Sequence, residues 1–190
     1  MPDLYILGAG CSKNYSEPRN RIQGLESPTD RDFFQKAGLV IENSGIQSDD
    51  EFMEEVKHLI KTLAPMYGSK DSSLSFFDNP DLSLEQVMSL LDLDFKLFSY
   101  QAATSLFLQE SRELHVLKDL LARTLDYALD GPPCRKHRAL AQKMGSHDIV
   151  LSFNYDILMD NALYYAGKIK DSSYGMNFYR VDRDGQLDKT

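Results

Sequence analysis

Asn154 and Asp156, two positions apart, stand just beyond the apolar run Ile149-Val150-Leu151, at one of the two strand ends where chemistry is expected. An amide aligns a water molecule without titrating, and a nearby carboxylate stabilises positive charge that develops on a substrate. A second set, Gly8-Ala9-Gly10-Cys11-Ser12, follows the apolar run from Leu4 to Leu7. Glycines let backbone N–H groups approach a ligand with no Cβ in the way, and Ser12 adds a hydroxyl donor, so this stretch suits a phosphate cradle. Structural roles fit the same residues: Asn154 as an N-cap, Asp156 as a first-turn dipole partner, the glycines as a tight turn with Cys11 as its filler. The dinucleotide fingerprint wants a third glycine where this chain has Lys13.

Both sets must be carried by strand ends. Leu4 to Leu7 reads as a short strand buried on both faces that turns at Gly8, and residues 149–151 as the apolar core of a second strand ending at Ser152-Phe153-Asn154. In an open parallel sheet, ligands sit where strands end in this way. Between the two strands the spacing is helical. A helix is expected from the Pro28 to Phe34 stretch, capped by Thr29 or Asp30, and a second from Asp49 or Asp50 to Pro65, carrying Phe52, Val56, Leu59, Ile60 and Leu63. A capping box at Ser83 and Gln86 opens a helical region reaching Asp130, with breaks near Phe98-Ser99 and Gln109-Ser111. Another helix spans Arg135 to Met144. After the second strand, Tyr155-Asp156 opens a helix, and a short strand from Asn177 to Val181 leads into a turn at 182–185. The fold class expected is α/β, with a helical insertion over residues 45–145 of a single domain spanning 1–190.

Composition narrows the partners. The formal net charge is −8, with 29 acidic against 21 basic residues, and no basic run offers a footprint for a phosphate backbone. Nucleic acid is not expected as a direct ligand. No apolar segment reaches the length of a membrane span and no basic leader precedes an apolar stretch, so a soluble, cytoplasmic protein is expected. The 2 cysteines, Cys11 and Cys134, build neither a disulfide framework nor a zinc site, and no metal is expected. The four histidines, His58, His115, His137 and His147, all precede Asn154; three fall in helices and read as solvated surface residues, and His147 stands at the start of the second strand, away from the ligand end.

The residues so far resemble the sirtuin (SIR2) superfamily. Gly8-Ala9-Gly10-Cys11-Ser12 is similar to its Gly-Ala-Gly-x-Ser loop, and Ser152-Phe153-Asn154-Tyr155-Asp156 to the Ser/Thr-x-Asn-Tyr-Asp strand end of the prokaryotic SIR2-like branch. Pro28 to Phe34 and Leu84-Glu85-Gln86-Val87 match two further family stretches in the same order. The resemblance implies a Rossmann-like sheet binding NAD+, with a helical module inserted between strands. It implies that Gly8, Ala9, Gly10 and Ser12, with Cys11 among them, line the phosphates and ribose. It places Ser152, Phe153 and Asn154 on the cofactor, with Asn154 holding the nicotinamide ribose or the attacking water, and Asp156 on the carboxamide. Arg31 is a candidate for the cofactor loop. The zinc-binding cysteines of the deacylases are absent, which fits the SIR2-like NAD+ hydrolases associated with antiphage defence. The family's general base, a histidine in a Leu-His-Gly motif downstream of the Asn-Tyr-Asp strand, has no counterpart after His147. The expectation is therefore a chain truncated at its C-terminus, inactive by itself, from an NAD+-cleaving parent. Two alternatives stand beside it: a non-catalytic sensor of NAD+ or ADP-ribose, and an interaction module whose acidic helical insert mediates homo-oligomerisation.

Overall fold

The computed structural model describes residues 2–13, 15, 25–70, 73–101, 111–169, 179–181 and 187–189. The chain divides into two compact units, one formed by Met1–Gly8 with Pro132–Thr190, the other by Ala9–Gly131. It is a mixed α/β protein with six α-helices and a two-stranded parallel sheet among the described residues.

The contiguous unit is helical. Helices α1 (Phe33–Asn43), α2 (Asp50–Met66), α3 (Leu84–Gln101) and α4 (Arg112–Leu129) form where apolar residues recur every three or four positions. Phe33, Phe34 and Ile41 of α1, Val56, Leu59, Ile60 and Leu63 of α2, and Leu117 and Leu120 of α4 meet in one core, with Phe77 set against Phe34 at 5.4 Å between ring centroids. The segment 65–82, expected as loop, contains a short 3-10 helix, Leu74–Asp78, that buries Phe76 and Phe77.

Caps fix the helix starts, and two differ from expectation. Asp49 caps α2 by accepting the Phe52 N–H at 3.1 Å, and Ser111 caps α4 by accepting the Leu114 N–H at 3.1 Å. Helix α1 begins only at Phe33, because Asp32 draws back over the turn before it and accepts the Thr29 N–H and hydroxyl at 2.5 and 2.7 Å. Asp30 serves α3 instead: its carboxylate accepts the Ser83 hydroxyl at 2.7 and 2.9 Å and the Glu85 N–H at 2.8 Å. Helix α2 runs one residue past Pro65, which occupies its last turn. Ion pairs join α2 and its cap to α4, Arg112 to Glu55 at 2.5 Å and Arg123 to Asp49 at 3.2 Å, and a hydrogen bond of 3.1 Å links His58 Nε2 to Glu113 Oε1.

The other unit contains the sheet. Strand β1 (Leu4–Leu7) pairs in parallel with β2 (Ile149–Ser152), Leu4 opposite Ile149 and Leu7 opposite Ser152. Helix α5 (Arg135–Lys143) leads into β2 and α6 (Leu158–Tyr165) leads out of it. Ala141 and Met144 from the α5 side and Met159 and Ala162 of α6 form a small core against Tyr5, Leu7 and Val150. Among the described residues only that face of the sheet is covered. Leu4, Ile6, Ile149 and Leu151, on the opposite face, are 46–64% exposed, which corrects the expectation of a first strand buried on both faces. A separate antiparallel pair, β3 (Tyr179–Val181) with β4 (Leu187–Lys189), follows; the turn expected at 182–185 lies outside the described residues. Among the described residues no helix is long and apolar enough to cross a membrane.

Candidate functional site

Local bonding builds the end of β2 into a rigid corner. The Phe153 N–H donates to the Leu7 carbonyl at 2.9 Å, continuing the parallel ladder one residue beyond β2 and bringing Gly8, the residue after Leu7, to the same level. The Ser152 hydroxyl oxygen accepts the Asn154 N–H at 3.3 Å, and the Asp156 carboxylate accepts the Leu158 N–H at 3.0 Å. The second contact is an Asx turn, in which a carboxylate reaches the backbone two residues on. It sets the entry to α6. The helix therefore starts at Leu158 and not at Tyr155, and the N-cap role considered for Asn154 is corrected: Asp156 performs it in part from a position outside the helix.

Ser152, Asn154 and Asp156 open onto one groove of about 1090 Å³, which runs along β2 and α6 and reaches Asp160 and Lys168. Its volume is on the scale of sites that enclose ligands of cofactor size. Gly8 and Phe153 are not in its lining, and Phe153 is 74% exposed. At the opposite end of β2, Asp148 accepts the Asp3 N–H at 2.9 Å and the Gly145 N–H at 2.7 Å. Those two backbone donors hold its carboxyl below the ordinary carboxylate range. Tyr5 is pushed above the usual phenol value, by burial first and then by Asp3 and Asp148.

The remaining glycine-loop residues belong to the helical unit. Ala9–Cys11 is one turn of 3-10 helix, closed by the Ser12 N–H donating to the Ala9 carbonyl at 3.1 Å. Ser12 is fully buried, with its hydroxyl 3.7 Å from Cys11 Sγ. Neither Gly8 nor Gly10 has positive φ, and a Cβ at either would meet nothing within 4 Å. Internal sterics thus do not demand glycine at these positions. Arg31 is exposed and lies 3.9 Å from the Asp30 carboxylate.

Sequence reasoning missed His137. It is buried at 4% exposure, whereas His147 is exposed and His58 is paired with Glu113. Burial pushes its imidazole below the usual histidine value, against an opposing pull from the charge of Asp156. The signal was present: His137, Ala141 and Met144 fall on one helical stripe, so a histidine was placed on the face that α5 buries. Among the described residues no three His, Cys, Asp or Glu side chains gather as a metal site.

No protein family, curated protein or solved structure matches this chain.

Proposed function

We propose that the groove beside β2 holds NAD+ and positions its nicotinamide–ribose bond for cleavage by water to nicotinamide, ADP-ribose and a proton, a reaction this chain by itself supports weakly because no histidine follows His147 to act as general base. On this reading β1 and β2 belong to a Rossmann-like sheet of the SIR2-like type, in the branch of NAD+ hydrolases associated with antiphage defence. The observation that carries it is that Ser152, Asn154 and Asp156, at the carboxyl end of a parallel strand, all line one groove, which continues along that strand to Asp148 and Met144 at its other end. Ligands of α/β sheets occupy that end of the strands. Departure of neutral nicotinamide leaves an oxocarbenium-like ribose, so the reaction calls for orientation and charge stabilisation more than for covalent chemistry. The Asn154 amide aligns the ribose or the water, and the Asp156 carboxylate stabilises the positive charge.

The test is nicotinamide release from millimolar NAD+, with thermal stabilisation by NAD+ and by ADP-ribose measured in parallel. Thermal stabilisation by both ligands, lost in Asn154→Ala with an unchanged circular dichroism spectrum, supports the reading, with nicotinamide release by this chain weak or absent. Robust nicotinamide release by residues 1–190 shows instead that the chain holds a general base of its own. Equal release by wild type and Asn154→Ala removes Asn154 from the site, and no response to either ligand sinks the proposal.

A further inference from the structure

The directions of α5 and α6 place a buried histidine beside the groove. Lys168, just beyond α6, donates from Nζ to the Met144 carbonyl and, at 3.3 Å, to the Gln142 carbonyl, which ties the end of α6 to the end of α5. One turn before those ends, Ala141 and Ala162 share the small core under the sheet. The two helices therefore run side by side in the same direction, and their first turns meet below the carboxyl end of β2. On α5 that turn carries His137, buried on the same stripe as Ala141; at α6 it is preceded by Asp156, anchored by the Leu158 N–H.

We infer that His137 is a positioning residue for Asp156, setting how much negative charge the carboxylate presents to the groove, so that protonation of His137 weakens retention of a cationic ring there. At 4% exposure His137 does not itself reach a ligand and acts through Asp156. The charged and titratable groups on the surrounding elements are Asp156 and Asp160 from α6 and its approach, Lys168 beyond it, Asp3 and Asp148 at the strand starts, Tyr5 on β1, and Arg135, Lys136, Arg138 and Lys143 on α5 itself. Of these, Asp156 is the charge that acts on the imidazole. The inference rests on the dinucleotide reading for its ligand. The oxidised nicotinamide ring is a cation, whereas ADP-ribose lacks that ring, so the two ligands separate charge sensing from general binding.

Two measurements on the full chain test it. In the first, the His137 ring is titrated by NMR in wild type and in Asp156→Asn. The asparagine variant removes an attraction for the imidazolium, so the His137 midpoint moves to lower pH; an unmoved midpoint overturns the inference whether or not any dinucleotide binds. In the second, affinities for NAD+ and ADP-ribose are compared as pH falls from about 7.5 to about 5. NAD+ loses about threefold to tenfold relative to ADP-ribose in wild type, and His137→Gln flattens that ratio. A ratio with the same pH dependence in His137→Gln overturns the inference. Failure of wild type to bind either ligand refutes the functional reading and leaves the titration to decide the His137–Asp156 pair.

Discussion

The amide of Phe153 and the carbonyl of Leu7 are joined at 2.9 Å, one residue past the last paired position of β2. This bond sets the ends of β1 and β2 level, so that Gly8 and Asn154 leave the sheet from the same height. It also orients the backbone from which Asn154 and Asp156 turn toward the groove.

The two faces of the sheet differ in what they tolerate. Val150 packs against the α5 and α6 side chains, whereas Ile6 is 64% exposed on the other face. Val150→Asp forces a carboxylate into that core and abolishes cooperative folding of its unit. Ile6→Ser shifts stability by no more than about 0.5 kcal/mol. Urea unfolding of the two variants checks this, and a large loss in Ile6→Ser would mean that the face is covered in solution.

Asp148 gives the strand starts a pH dependence of known sign. Its carboxyl is held below the ordinary value by the N–H groups of Asp3 and Gly145, so the folded state favours the ionised form. The associated stability is present above the ordinary carboxylate value and disappears as pH falls through the lowered one. Asp148→Asn should therefore be less stable than wild type at neutral pH, with the gap closing in acid. A gap that persists unchanged in acid would contradict the assignment.

His137 works in the same direction through a different group. Its midpoint is lowered by burial, so the unfolded chain binds a proton more readily than the folded one. The penalty is absent above the usual histidine value and grows as pH falls toward the lowered one. In urea titrations across that window, wild type should lose more stability than His137→Gln; parallel losses would show that another group is responsible.

Asp30 links the segment before α1 to the start of α3: its carboxylate accepts the Ser83 hydroxyl, shared between both oxygens, and the Glu85 N–H, and its backbone carbonyl accepts the Leu84 N–H at 3.1 Å. Asp30→Ala should cost about 1 to 2 kcal/mol, and Ser83→Ala less, because the Glu85 contact survives it. A double-mutant cycle measures the coupling, and strictly additive losses would show that the Asp30–Ser83 bond contributes nothing of its own.

The helices and both strands of the parallel pair were legible because each rests on local periodicity: Phe52, Val56, Leu59 and Leu63 repeat at helical spacing, and residues 149–151 form an unbroken apolar run. Their surroundings were not. An apolar run does not specify which of its faces is covered, so Leu4 and Ile6 read as buried although they face outward. Asp30 stood next to a helix start and was read as its cap, but it bonds 53 and 55 positions away, a pairing that proximity in sequence hides. Asn154 and Asp156 stand out in the sequence through the resemblance of residues 152–156 to the Ser/Thr-x-Asn-Tyr-Asp strand end, and the structure sets both on one groove. The groove along α6 and the histidine beneath it depend on how two helices pack, which only the fold reveals.

The sheet joins chain segments far apart in synthesis: Asp3 bonds to Asp148 across 145 positions, while everything from Ala9 to Gly131 forms a unit from contiguous residues. Contiguous helical contacts close quickly, and distant parallel pairings close late. On the ribosome, β1 must therefore wait, with Tyr5 and Leu7 unpartnered, until β2 and the helices beside it have been made, and during that interval the strand is a natural client for a chaperone.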